Sequence, residues 1–172
     1  MLSLKRVFLS TSMLLIALTV VACGSSYSTS TGSSSGSTST SSAPVIKTAT
    51  TTVNGQSVTI LTNAQGMTLY YFKPDTATTS ACTGACIGNW PPLLFTSSGT
   101  PSSTNSLPGT LSVVTDANGQ QVEYNGHPLY TFVNDTAPGQ TNGEGIKGVW
   151  FVATTTLPVQ GSPQATPNGY GY

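Results

Sequence analysis

Charge is scarce in this chain: of 172 residues only five are Lys or Arg and five Asp or Glu, with one His and three Cys. With no basic run, the cations needed to neutralise a phosphate backbone are missing, so nucleic acid is excluded as a partner. The same lack removes any polybasic patch for anionic lipid. Soft metal ligands are equally few. Apart from Met1, Met13 and Cys23, which lie in the first segment, they are Cys82, Cys86, Met67 and His127. Cys-x-x-x-Cys with one distant His offers three ligands at best, where zinc or copper needs three or four that converge. There is no Cys-x-x-Cys-His for covalent haem, and no Ser or Cys motif that would make His127 part of a nucleophilic triad. No metal or cofactor is expected, and the chain reads as a non-enzyme. Helical periodicity is missing too: beyond the first segment, no stretch of ten or more residues keeps an apolar repeat of 3.6.

What is present begins with an export signal. Residues 1–22 carry Lys5 and Arg6, then an apolar run from 7 to 21, shorter than a comfortable membrane span and diluted by Ser10, Thr11 and Ser12. The ending Val20-Val21-Ala22-Cys23 resembles a bacterial lipobox. That resemblance implies acylation (palmitate-type chains) of Cys23, which becomes the mature N-terminus and holds the protein to the outer face of the membrane; two or more acyl chains give stable anchoring. Residues 23–43 follow as a tether: from 24 to 42 there are eleven Ser, four Thr, three Gly and one Tyr, a composition unable to bury a core. As a coil it reaches roughly 25 Å. Removing the signal leaves three Lys against five acids, a formal charge of −2. Residues 160–172, QGSPQATPNGYGY, read as a disordered tail.

Residues 44–159 have the length of one domain, and strand signals dominate them. IKTATTTV at 46–53 alternates and is β-branched; SVTILT at 57–62 and MTLYYF at 67–72 flank NAQG, which predicts a hairpin. LSVVT at 111–115 and QQVEY at 120–124 flank DANG, and Asn125-Gly126, a strong hairpin signal, leads into HPLYTFV. GVWFVATTT at 148–156 closes the set. ACTGACIGNW allows at most a turn or two of helix before Pro91 and Pro92. Residues 96–109 form a surface loop. The expected fold is all-β: two related antiparallel units, about 51–95 and 111–155, forming one small sandwich or barrel of seven or eight strands.

The two units announce themselves by writing one frame twice. GMTLYYFKPDTA at 66–77 returns as GHPLYTFVNDTA at 126–137, so Gly66, Leu69, Tyr70, Phe72 and Asp75 match Gly126, Leu129, Tyr130, Phe132 and Asp135; Trp90 matches Trp150. Together with CTGAC, NWPPL and YNGHPLYTF, these motifs resemble the secreted-repeat lipoproteins, also described by a Tyr-x-(Phe/Trp/Tyr)-x-x-Asp motif. The resemblance covers about 62–152 and implies location and repeat architecture, with no biochemical activity attached. The second copy departs from the first in having no cysteines: GQTNGEG stands where the first has TTSACTGAC. An even pair outside the cytoplasm argues for a Cys82–Cys86 disulfide, worth about 2 kcal/mol by chain entropy for so small a loop.

The repeated residues are expected to serve the fold. Tyr70 and Phe72 should face opposite to Met67, Leu69 and Tyr71, in a strand packed on both sides; the alternative is an exposed aromatic pair that stacks on a sugar or a hydrophobic cofactor. Asp75 and Asp135 should each close an Asx-type turn with amides two or three residues on. A paired-carboxylate hydrolase is disfavoured, since Ala77 and Ala137 stand where such sites have Gly. A calcium role would need more oxygen ligands than one Asp per loop supplies. His127 is expected to be partly exposed, and each Trp to cover one end of the core. The leading functional reading is a non-catalytic, membrane-anchored lipoprotein that binds a small ligand or envelope protein or supports the envelope. The competing one is an extracytoplasmic redox, metal or haem protein using Cys82 and Cys86.

Overall fold

Two Asn-Gly turns do most of the local work. The computed structural model describes residues 45–162, in which Asn54-Gly55 and Asn125-Gly126 both adopt positive φ at both positions, the conformation that matches the twist of a two-residue hairpin. Asn54-Gly55 joins β1 (Ile46–Val53) to β2 (Gln56–Asn63) in an antiparallel register from Ile46↔Asn63 to Val53↔Gln56. The chain also doubles back across NAQG, as expected: Thr62 and Thr68 are antiparallel partners, Asn63 N donates to Met67 O and Leu69 N to Leu61 O. NAQG is a turn in which the Asn63 Oδ1 accepts from the Gln65 and Met67 amides. β3 (Tyr70–Phe72) follows. In the second copy β4 (Leu111–Asp116) pairs with β5 (Gly119–Tyr124), and Asn125-Gly126 turns into the short β6 (His127–Pro128). β7 (Trp150–Val152) pairs antiparallel with β3, Tyr71 opposite Phe151. Among the described residues, helix is limited to the 3-10 turns Gly84–Gly88 and Ile146–Gly148.

The strands are knitted by hydrogen bonds that recur in pairs, as around a local twofold axis. At the centre Tyr70 and Tyr130 exchange both backbone bonds, 2.8 and 3.0 Å. On one side three segments close a ring: Leu61 N donates to Ala153 O, Ala153 N to Leu69 O, and Leu69 N to Leu61 O, at 2.8 to 3.0 Å. On the other, Val122 N donates to Leu93 O, Leu93 N to Leu129 O, and Leu129 N to Val122 O, at 2.8 to 2.9 Å. Each ring takes two segments from one copy and its third from the other. The halves are therefore interlaced, and neither can satisfy its own backbone donors without its neighbour. The prolines of NWPPLLF do not prevent this. Pro91 contributes only its carbonyl, to Thr131 N, while Leu93 and Phe95 supply the amides.

Alternation along these segments sorts side chains into two cores. Leu61, Leu69, Leu129 and Ala153 join Ile46, Phe95, Val122, Tyr124 and Leu157 in one; Ile60, Tyr70, Tyr130 and Val152 join Cys82, Trp90, Phe132 and Trp150 in the other. The motif strands are thus packed on both faces, as their two-sided apolar pattern requires. Residues 1–44 and 163–172 lie outside the described residues, and with them the signal peptide, Cys23, the whole tether and most of the tail.

Candidate functional site

The second core gathers the repeated aromatics and acids at the contact between the copies. Trp90 and Trp150 do not cover opposite ends of the core. They stack face to face, centroids 3.8 Å apart and 3° from parallel, with Phe132 stacked on Trp90 and Phe72 on Trp150, each at 4.3 Å. Four rings form one column, Phe72, Trp150, Trp90, Phe132. Tyr70 meets Trp90 edge-on at 5.4 Å and Tyr130 meets Trp150 edge-on at 5.1 Å. Edge and stacked geometries both suit the ring quadrupole and add to the burial of large apolar area.

The tyrosine hydroxyls reach across to the aspartates of the opposite copy. Tyr70 Oη donates to Asp135 Oδ2 at 2.6 Å, and Tyr130 Oη donates to Asp75 Oδ2 at 2.8 Å. The second oxygen of each carboxylate accepts a backbone amide: Ala81 N to Asp75 Oδ1 at 2.7 Å, Asn142 N to Asp135 Oδ1 at 3.0 Å. Both aspartates are buried. The amides come from six and seven residues downstream, so the carboxylates organise whole loops and not tight Asx turns. Burial, reinforced by the bond to Asp135, raises Tyr70 well above the usual phenol range, and burial does the same to Tyr130. Burial also pushes Asp75 up to about 6, against the pull of its bonds from Ala81 and Tyr130. No hydrogen bond joins Asp75 to Asp135; each is committed to a different tyrosine and loop.

Around Asp75 lies a polar network that motif reading missed. Ser80 Oγ donates to Gln121 Oε1 at 2.7 Å, Gln121 Nε2 donates to Leu129 O at 2.9 Å, and Asn118 Nδ2 bridges Gln121 Oε1 and the Cys82 carbonyl. Gln121 sits inside a strand in QQVEY, and its only signal was a polar residue at an inward position. Gly143 was also missed: a β-carbon there would come within 2.8 Å of both Trp90 and Tyr70.

Cys82 and Cys86 are joined in a disulfide. His127 is buried, not partly exposed. Its Nε2 bonds Pro158 O at 3.0 Å, its ring meets Tyr71 edge-on at 5.0 Å, and burial lowers its basicity. It belongs to a different part of the molecule from the disulfide, being set against Tyr71 while Cys82 packs with the tryptophans. Among the described residues no three His, Cys, Asp or Glu side chains converge as a metal site. Of the repeated residues, Gly66 and Gly126 take positive φ at turns, and Leu69 and Leu129 lie in the first core.

Over the aromatic column opens a cleft of about 360 Å³, lined by Phe72, Trp90 and Trp150 with Cys86, Ile146 and Lys147 at its walls. It straddles the contact between copies. Its lining offers apolar contact and one ammonium, while the Tyr–Asp pairs lie outside it.

Comparison with known proteins adds location. Residues 51–94 and 112–154, together about half the chain, match a protein family described as a secreted repeat of unknown function. No curated protein and no solved structure matches the chain. No helix among the described residues is long and apolar enough to cross a membrane. With the duplicated frame, the shared hydrogen-bond rings and both family matches in agreement, the chain belongs to this secreted-repeat family.

Proposed function

We propose that the protein is a non-catalytic lipoprotein of the cell envelope, held at the outer membrane face by acylated Cys23 and binding an extracytoplasmic ligand or partner. The reading is supported above all by the crossed Tyr70–Asp135 and Tyr130–Asp75 pairs, which commit both oxygens of each repeated carboxylate to the fold. Both carboxylates are buried as well as bonded at each oxygen, an arrangement that suits anchors of the fold better than bases acting on bulk water. The disulfide suits an oxidising compartment, and the lipobox-like end of the signal with the Ser/Thr tether suits a domain lifted off the lipid.

Detergent phase partition of native membranes, with mass spectrometry of the mature N-terminus, tests the anchor. The expected result is a diacylated or triacylated Cys23 in the detergent phase and release of a Cys23→Ala variant to the aqueous phase. Wild-type protein found unacylated in the medium would refute the anchor. Stoichiometric metal or a visible chromophore in the native material would replace the binding reading with the redox, metal or haem alternative.

A further inference from the structure

The duplication supplies an internal control for what the fold requires. Tyr70, Phe72 and Trp90 have the same aromatics as counterparts in the second copy. Tyr71 and Phe151 do not: their counterparts are Thr131 and Pro91. Yet Thr131 and Pro91 occupy the same place in the weave, with Thr131 N bonded to Pro91 O at 2.9 Å and the adjoining ring closed equally well. The strand pairing therefore does not demand aromatic side chains at 71 and 151, although Tyr71 also packs on the first core and on His127. Both are half-buried, they face each other across β3 and β7, and their rings lie 5.9 Å apart, tilted by 31°.

These two rings line a groove of about 420 Å³ beside the β1–β2 turn. Its apolar wall includes Val53 and Val58, and its rim carries Asn54, Gln56 and Glu144. Glu144 is fixed in place, with Oε2 accepting Val152 N at 2.8 Å and Oε1 accepting Asn54 Nδ2 at 3.2 Å, which holds a carboxylate acceptor at the edge of the aromatic floor. The groove does not stop at Tyr71. A second hollow of about 230 Å³ shares Tyr71, Leu157 and Pro158 with the first and continues past Lys73 and Gln160.

We infer that this double groove is a binding site for a neutral saccharide chain, with Tyr71 and Phe151 as the stacking floor and Asn54, Gln56 and Glu144 as the polar edge. A pyranose ring presents an apolar C–H face and a rim of hydroxyls, the complement of an aromatic surface bordered by amide and carboxylate groups. Two hollows joined at one ring suit more than a single sugar. Lys73 Nζ lies 4.4 Å above the Phe151 ring, and among the described residues it is the one Lys or Arg lining either hollow, too little charge to select a polyanion.

The inference rests on the binding-module reading and names its ligand class. The test is binding of the full mature chain to three neutral probes: a β-1,4-linked N-acetylglucosamine tetramer and cellotetraose by titration, and insoluble chitin in a pull-down. Binding of at least one is expected, weakened about tenfold by Tyr71→Thr. That variant places in the first copy the residue the second already carries, so thermal unfolding should report an intact fold. Gln56→Ala should weaken binding a few-fold. Binding to none of the three by a colourless, acylated protein would overturn the saccharide assignment alone and leave the envelope reading standing. Binding indifferent to Tyr71→Thr would overturn this groove as the site. A chromophore or bound metal would instead strike at the underlying reading.

Discussion

The loops that follow Asp75 and Asp135 are equal in length, each reaching a glycine thirteen residues later at Gly88 and Gly148, yet they are closed by different chemistry. The first is pinned by the Cys82–Cys86 disulfide. The second has a side-chain cap, Gln140 Oε1 accepting from the Thr136 and Ala137 amides at 2.6 and 3.0 Å, and a glycine, Gly143, pressed against Trp90 and Tyr70. What both copies keep is the tyrosine, the aspartate and the tryptophan, the residues that act across the contact between them. Closure of each loop was free to diverge because any device that presents an amide to the aspartate serves equally.

If the copies are interlaced, separating them should have the largest effect of all. Each half expressed alone, cut within the 96–109 loop, loses the third segment of its ring and is expected to be unfolded by circular dichroism and amide dispersion; a folded half would disprove the exchange of segments. Next in size, Trp90→Ala and Trp150→Ala should each cost about 3–5 kcal/mol in urea unfolding. Their costs should be similar, since each indole stacks on the other and on one phenylalanine, and a large inequality would break the equivalence of the copies.

A smaller effect should separate the loops. Gly143→Ala places a methyl in contact with two buried rings and should cost about 2–3 kcal/mol, whereas Thr83→Ala at the matching, exposed position should stay within about 0.5 kcal/mol. Equal costs would mean that the two loops approach the tryptophans alike. The smallest effect concerns pH. Burial pushes the Asp75 carboxyl up to about 6 in the folded protein, from an ordinary value of 3.8. The folded state therefore holds this proton more tightly, so the stabilisation is complete below about pH 4 and disappears as pH rises through about 6. The difference amounts to at most about 3 kcal/mol over the whole window, and no more than about 1.4 kcal/mol per pH unit. Asp75→Asn should flatten that part of the stability profile, and an unchanged slope would assign it to another group.

Local chemistry was legible in the residues. Asn125-Gly126 marked its turn, the β-branched run at 46–53 marked its strand, and the two-sided apolar pattern of YYF and YTF marked strands packed on both faces. NAQG marked its turn as well, while Asn54-Gly55 carried the same signal as Asn125-Gly126 and joins a further hairpin, β1 to β2, that the sequence reading did not draw. His127 follows a turn and is polar, which favoured exposure; its burial comes from the 157–160 segment, more than thirty positions away.

By itself the sequence determined that the domain is a duplicated β-structure and which side chains share a face, because alternation and turn chemistry act over a few residues. Only the tertiary structure decided that Tyr70 binds the aspartate of the opposite copy, that the tryptophans meet in the middle, and that Tyr71 and Phe151 share a groove. Two motifs that share their tyrosine and aspartate carry similar local preferences, so nothing within either one distinguishes pairing with itself from pairing with its twin. The exchange of the last segments, closing both hydrogen-bond rings at once, makes that choice.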